Sequence, residues 1–148
     1  MARILVVDDE PSIRHLIRTI LVDEGHHIET AANGRVALEK VILAIPDLIV
    51  LDLMMPEMDG WRFLEELHLR GLRKQTRVVI VSGHFDPATA SRGERRAARH
   101  FLPKPFEPEV LVDLINDALS RDASELFEEH DRSVSLVRLL DKIDEVLP

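Results

Sequence analysis

At 148 residues the chain has room for one domain with a substantial core and a short appendage. Its formal net charge of -8 argues against sequence-independent binding to nucleic acid, which rests on lysine and arginine neutralising phosphates. No cysteine is present, which excludes disulfides and thiolate metal ligands, and no apolar run is long enough to span a bilayer.

The apolar run near the N-terminus carries one basic residue and stops at Asp8, too short for a secretory leader, so the expectation is a cytoplasmic protein. Ile4, Leu5, Val6 and Val7 form that run, and its β-branched character reads as a strand covered on both faces, as in a parallel sheet. It leads straight into Asp8, Asp9 and Glu10. Pro11 suits a first helical turn, and Ile13, Leu16, Ile17, Ile20 and Leu21 follow at helical spacing until Gly25. In open α/β sheets the junction beyond the carboxyl end of a strand is where ligands bind. Two carboxylates about 4 Å apart repel by roughly 4 kcal/mol at an effective dielectric near 20. The acids therefore read either as a cation site or as a solvated turn that complements the helix dipole.

The pattern repeats. Ile28, Thr30 and Ala31 mark a weaker second strand ended by the turn pair Asn33-Gly34, and Val36, Ala37, Val41 and Ile42 a second helix stopped by Pro46. The stretch "DLIVLD" is a buried third strand ending in Asp52. The loop "LMMPEMDG" follows, with Asp59 able to cap a helix carrying Trp61, Leu64 and Leu67. "RVVIVSG" is a fourth strand ending in Ser82. An Arg-rich stretch over 87–98 reads as a fourth helix weakened by Gly93, and "HFL" as a short fifth strand with Lys104 just beyond it. Val110, Leu111, Leu114, Ile115 and Ala118 give a fifth helix entered through Pro108. Alternation at this spacing implies an α/β fold, a doubly wound five-stranded parallel sheet flanked by five helices. From Arg121 onward the alternation stops, and Leu136, Leu140, Ile143 and Leu147 mark a C-terminal amphipathic helix.

Right-handed crossovers bring the strand ends to one edge, so Asp8, Asp9, Asp52, Ser82 and Lys104 are expected to converge. Carboxylates with remaining waters suit Mg2+ better than zinc. A hydroxyl and an ammonium beside such a cation address a phosphoryl group, with Ser82 donating a hydrogen bond and Lys104 supplying charge. No glycine-rich phosphate loop occurs, so the phosphoryl group is expected on the protein itself. Asp52, alone at the end of a central strand, is the candidate nucleophile.

These residues identify a resemblance. Through "VVDDE", "LDLMMPEMDG", "VSG" and "FLPKPF", in that order, the chain resembles the receiver domain of two-component response regulators, a CheY-like, flavodoxin-like fold. The resemblance covers 1–120 and leaves 121–148 as a helical extension for dimerisation, docking or linkage. It implies that Asp52 is the phosphoacceptor and that Asp8 and Asp9 are the acidic pair. It also implies that Asp9, Asp52 and the main-chain carbonyl of Met54 hold Mg2+, that Ser82 and Lys104 are the family's hydroxyl and lysine, and that Lys104-Pro105 is cis. Phe101 resembles the aromatic switch position, and an inward rotamer should cost Phe less than Tyr, which has a hydroxyl to desolvate. Met54 cannot orient an attacking water, so the phosphoryl lifetime is expected to exceed that of a variant with a polar side chain there. His84 flanks the same site, and Ala97 stands where many relatives have Gly.

The resemblance further implies a sensor histidine kinase or histidine phosphotransfer protein as donor. It implies a signalling face on the fourth helix, fifth strand and fifth helix, through which a homodimer could form, as it could through the C-terminal helix. Arg92, Arg95, Arg96 and Arg99 would share a helical face and read either as solvated surface or as a stripe that meets acids such as Glu125, Glu128, Glu129 and Asp131. Two rival readings stand beside phosphoacceptor signalling. One is a docking module that is never phosphorylated. The other is a Mg2+-dependent phosphohydrolase, for which the chain lacks both a first-strand Asp-x-Asp and residues for a specificity cap. No direct nucleic-acid contact and no membrane contact are expected.

Overall fold

The computed structural model of the chain describes residues 1–83 and 100–123. Expectations that fall on 84–99 and 124–148, including the fourth helix, His84, Ala97, the arginine stripe and the C-terminal amphipathic helix, lie outside the described residues.

Five strands form one parallel sheet in the order β2-β1-β3-β4-β5, from β1 (Arg3–Val7), β2 (His27–Ala31), β3 (Leu48–Leu51), β4 (Arg77–Ser82) and β5 (Phe101–Pro103). The change of direction between β1 and β3 is the switch point at which a doubly wound sheet opens a crevice. Four described helices cover the faces: α1 (Pro11–Asp23), α2 (Gly34–Leu43), α3 (Gly60–Leu69) and α4 (Pro108–Leu119).

Alternation along the strands sorts the core into two layers, because successive strand side chains point to opposite faces. Leu5, Val7, Ile49, Leu51, Val78 and Ile80 pack with Val41 of α2 and with Phe63 and Leu67 of α3. Ile4, Val6, Leu48, Val50, Val79 and Val81 pack on the other face with Ile17 and Leu21 of α1 and Leu111 and Ile115 of α4. β3 is buried at every position, as its central place requires. β2, with its mixed sequence, takes the edge.

Helix ends follow local chemistry. Pro11 and Pro108 open α1 and α4, where a missing N–H costs nothing. α1 closes on Gly25 at φ 90, and the Gly25 and His26 amides donate to the carbonyls of Val22 and Leu21. Asn33 is the cap of α2 rather than the corner of a free turn, since its side chain accepts from the Val36 amide at 2.9 Å. Asp59 caps α3 in the same way, accepting from the Arg62 amide at 2.8 Å. A short 3-10 helix at Arg73–Gln75, which no apolar period announces, leads into β4.

Candidate functional site

Asp8, Asp52 and Lys104 each stand one residue beyond a strand, and Ser82 ends its own strand. The sheet ladder continues through them: the Asp8 amide donates to the Ala31 carbonyl, that of Asp52 to Val7, and that of Lys104 to Ser82, at 3.0–3.1 Å. Their backbones are therefore fixed by the core below. The side chains of Asp8, Asp52 and Lys104 converge on one spot. Lys104 Nζ lies 2.7 Å from Asp8 Oδ2 and 3.2 Å from Asp52 Oδ2, bridging residues 96 and 52 positions apart in sequence. Carboxylate oxygens of Asp8, Asp9 and Asp52 all lie within 4.8 Å of one another.

Asp8 and Asp52 are buried, whereas Asp9 is half-buried. Asp8 Oδ1 accepts from the Glu10 amide at 2.9 Å, and the Asp8 carbonyl accepts from Arg14 at 2.7 Å, so Asp8 ties the start of α1 to the sheet. Burial pushes the Asp8 carboxyl above the usual carboxylate range, against the opposing pull of the Lys104 ammonium and the Glu10 amide. Burial alone would lower the Lys104 ammonium, but the carboxylates of Asp8 and Asp52 together outweigh it and hold it above its ordinary value. Lys104 is thus a firmly charged counterion to more negative charge than it can neutralise.

Ser82 is wholly buried, and its Oγ has no hydrogen-bond partner among the described residues. A buried hydroxyl without a partner is costly. Met54 follows Asp52 with half its surface exposed, and its amide donates to Asp52 Oδ1 at 3.3 Å. Leu53 and Met55 on either side are buried in the core. Gly60 pins this loop: its amide donates to the Leu53 carbonyl at 2.9 Å, and a Cβ there would stand 2.5 Å from the Asp52 carbonyl oxygen. Phe101 is half-buried and packs against the core layer that contains Ile80, its neighbour in β4. The Lys104-Pro105 peptide is cis.

Two features escaped the sequence reading. Glu10 Oε1 lies 3.8 Å from Lys104 Nζ, whereas the sequence singles out only the adjoining Asp8 and Asp9 of this acidic run as ligands. Its place directly after the acidic pair was the available signal. His100 has a fully buried side chain whose Nε2 lies 2.7 Å from Asp117 Oδ2 on α4, a pairing across 17 residues that no local pattern announces.

The family model of the response regulator receiver domain matches residues 4–116. The chemotaxis protein CheY of Bacillus subtilis (strain 168) is 34% identical over 80% of this chain and 98% of its own. The Escherichia coli (strain K12) regulatory protein AtoC is 34% identical over 79% of this chain but only 25% of its own length. This chain thus spans a small part of that regulator, and about half of several other curated regulators that it matches. Among solved structures, the Vibrio cholerae chemotaxis protein CheY4 superposes with a TM-score of 0.70 at 36% identity, over 80% of this chain and 98% of that one.

Proposed function

The chain belongs to the response regulator receiver domain family, and on that premise we propose that it is a cytoplasmic phosphoacceptor that takes a phosphoryl group onto Asp52 from a sensor histidine kinase or histidine phosphotransfer protein. The observation that carries this reading is the bridge of Lys104 Nζ between Asp8 and Asp52. The hydroxyl of Ser82, at the end of β4, is buried without a hydrogen-bond partner among the described residues. Asp52 supplies the attacking oxygen. A bond forms from that oxygen to phosphorus as the bond from phosphorus to the donor atom breaks, the donor leaving with its electron pair. Lys104 and Ser82 Oγ then have phosphoryl oxygens to bind, and the buried hydroxyl gains the partner it lacks.

The donor set suits Mg2+, with three carboxylates in reach of one point and neither His nor Cys among them. Asp8, Asp9, Asp52 and the main-chain carbonyl of Met54 would hold it. When bound, it would neutralise charge developing on the phosphoryl oxygens. Exposed Met54 offers no polar group to align water, which supports a phosphoryl group that outlasts the one on a variant such as Met54→Asn. Phe101, on β5 and packed against the core layer that contains Ile80, is the proposed switch side chain, and residues 121–148 the proposed extension. A homodimer would use the face built on β5 and α4 or the C-terminal segment.

Incubation with acetyl phosphate and Mg2+, followed by intact mass beside Asp52→Ala, tests the reading. Gain of one phosphoryl group by the parent alone supports it. Absence of any gain in the parent favours a docking module, and steady turnover of donor with multiple release would favour a phosphohydrolase.

A further inference from the structure

The acid that follows the metal-binding pair has no place in the chemistry above. Glu10 stands at the N-cap of α1 but makes no side-chain capping bond there. Its carboxylate reaches instead to 3.8 Å from Lys104 Nζ, and it is the exposed member of the ammonium's three acidic neighbours, with 59% of its side chain accessible against 2% for Asp8 and 5% for Asp52. Asp8 Oδ1 holds the Glu10 amide at 2.9 Å, so the residue's position is set by the site itself.

Charge balance gives this placement a consequence. Asp8, Asp52 and Glu10 surround the Lys104 ammonium, Asp9 joins the same carboxylate cluster, and the Arg14 guanidinium lies on the Asp8 carbonyl. With a divalent cation added these charges sum to zero, and without Glu10 the loaded site would carry one positive charge. We propose that Glu10 is a specificity-determining residue that cancels this positive charge and so selects against phosphoryl donors in proportion to their free negative charge. Small anionic donors are disfavoured, and a donor whose phosphoryl group arrives with its charge compensated is not. The inference rests on Asp52 being the phosphoacceptor.

Acetyl phosphate, a dianion at neutral pH, and phosphoramidate, a zwitterion of net charge minus one, separate charge from geometry. In the first, acetate leaves with the electron pair of the broken oxygen–phosphorus bond. In the second, the already protonated nitrogen leaves as ammonia with the pair of the nitrogen–phosphorus bond. A unit charge about 7 Å from the donor in a water-like dielectric changes its encounter by roughly sevenfold for a dianion and roughly threefold for a monoanion. Glu10→Gln should therefore raise the second-order phosphorylation rate about twice as much for acetyl phosphate as for phosphoramidate at saturating Mg2+. The gap should shrink as ionic strength rises through the Debye range. Glu10→Asp, which keeps the charge, should behave as the parent. Mg2+ titration through Trp61 fluorescence should show several-fold weaker binding for Glu10→Gln without any donor present.

Equal changes for both donors, or a salt-independent ratio, would overturn the inference and leave Glu10 as a mere anchor for Lys104. Unaltered Mg2+ affinity in Glu10→Gln would overturn it as well. A parent that accepts phosphoryl from neither donor would overturn the Asp52 reading and this inference with it, whereas a phosphorylated parent with an unchanged donor ratio in the variant overturns only the inference.

Discussion

Lys104 Nζ lies closer to Asp8 than to Asp52, 2.7 Å against 3.2 Å, and so ties the first strand's acid to the loop after the fifth strand. Removing it leaves two buried carboxylates without their cation. Lys104→Ala should lower unfolding free energy by about 3 kcal/mol without divalent cations, the scale for breaking a buried pair. Mg2+ should stabilise this variant more than it stabilises the parent, because it takes over the lost charge. Urea unfolding with and without Mg2+ measures both, and equal stabilisation of the two proteins would contradict the account.

Ser82 makes the opposite prediction. Its Oγ is buried without a partner among the described residues, so Ser82→Ala should leave stability unchanged or raise it by up to about 1 kcal/mol. Phosphorylation by acetyl phosphate should nevertheless slow about tenfold, because the hydroxyl has work only once phosphoryl oxygens arrive. Denaturation midpoints and intact-mass time courses separate these effects.

The loop after Asp52 is set by two backbone positions. Gly60→Ala would drive a Cβ into the Asp52 carbonyl and should cost about 1–3 kcal/mol while slowing phosphorylation. Glu57 holds φ 66, a left-handed conformation that costs a residue with a Cβ about 1 kcal/mol, so Glu57→Gly should be neutral or stabilising by up to about that amount. Thermal melts should show Gly60→Ala below the parent and Glu57→Gly at or above it.

At the far edge of the sheet, the hydrogen bond from buried His100 and then the Arg121 guanidinium hold the Asp117 carboxyl below the usual carboxylate range. A folded-state value below the unfolded one contributes stability above the unfolded value, near 4, and loses it as pH falls through the folded value. The melting temperature of the parent should exceed that of Asp117→Asn at neutral pH, and the difference should close below about pH 4. A difference independent of pH would show that the ionised carboxylate contributes nothing.

Much of this was legible in the chain because strand burial and strand-end chemistry coincide. Ile4 to Val7 and "DLIVLD" announce doubly covered strands, and the acids that terminate them can lie at only one edge of a parallel sheet. The parallel five-stranded sheet follows from that alternation. Less legible were features set by close approach rather than by period. Asn33 reads as a turn residue until the Val36 amide is seen to donate to it. Gly60 looks like a loop glycine until the Asp52 carbonyl is found against it. His100 and Asp117 meet only because β5 lies beside α4, a tertiary fact without a local signal.

The measurement that tests the central claim most directly is location of the phosphoryl group at residue level. Protein treated with acetyl phosphate and Mg2+ would be reduced with borohydride, which converts an aspartyl phosphate to homoserine, and its peptides then sequenced by mass. Homoserine at position 52, dependent on Mg2+ and absent without donor, is the predicted result. Homoserine at position 8 or 9, or none in a protein shown to bind Mg2+, would contradict the account.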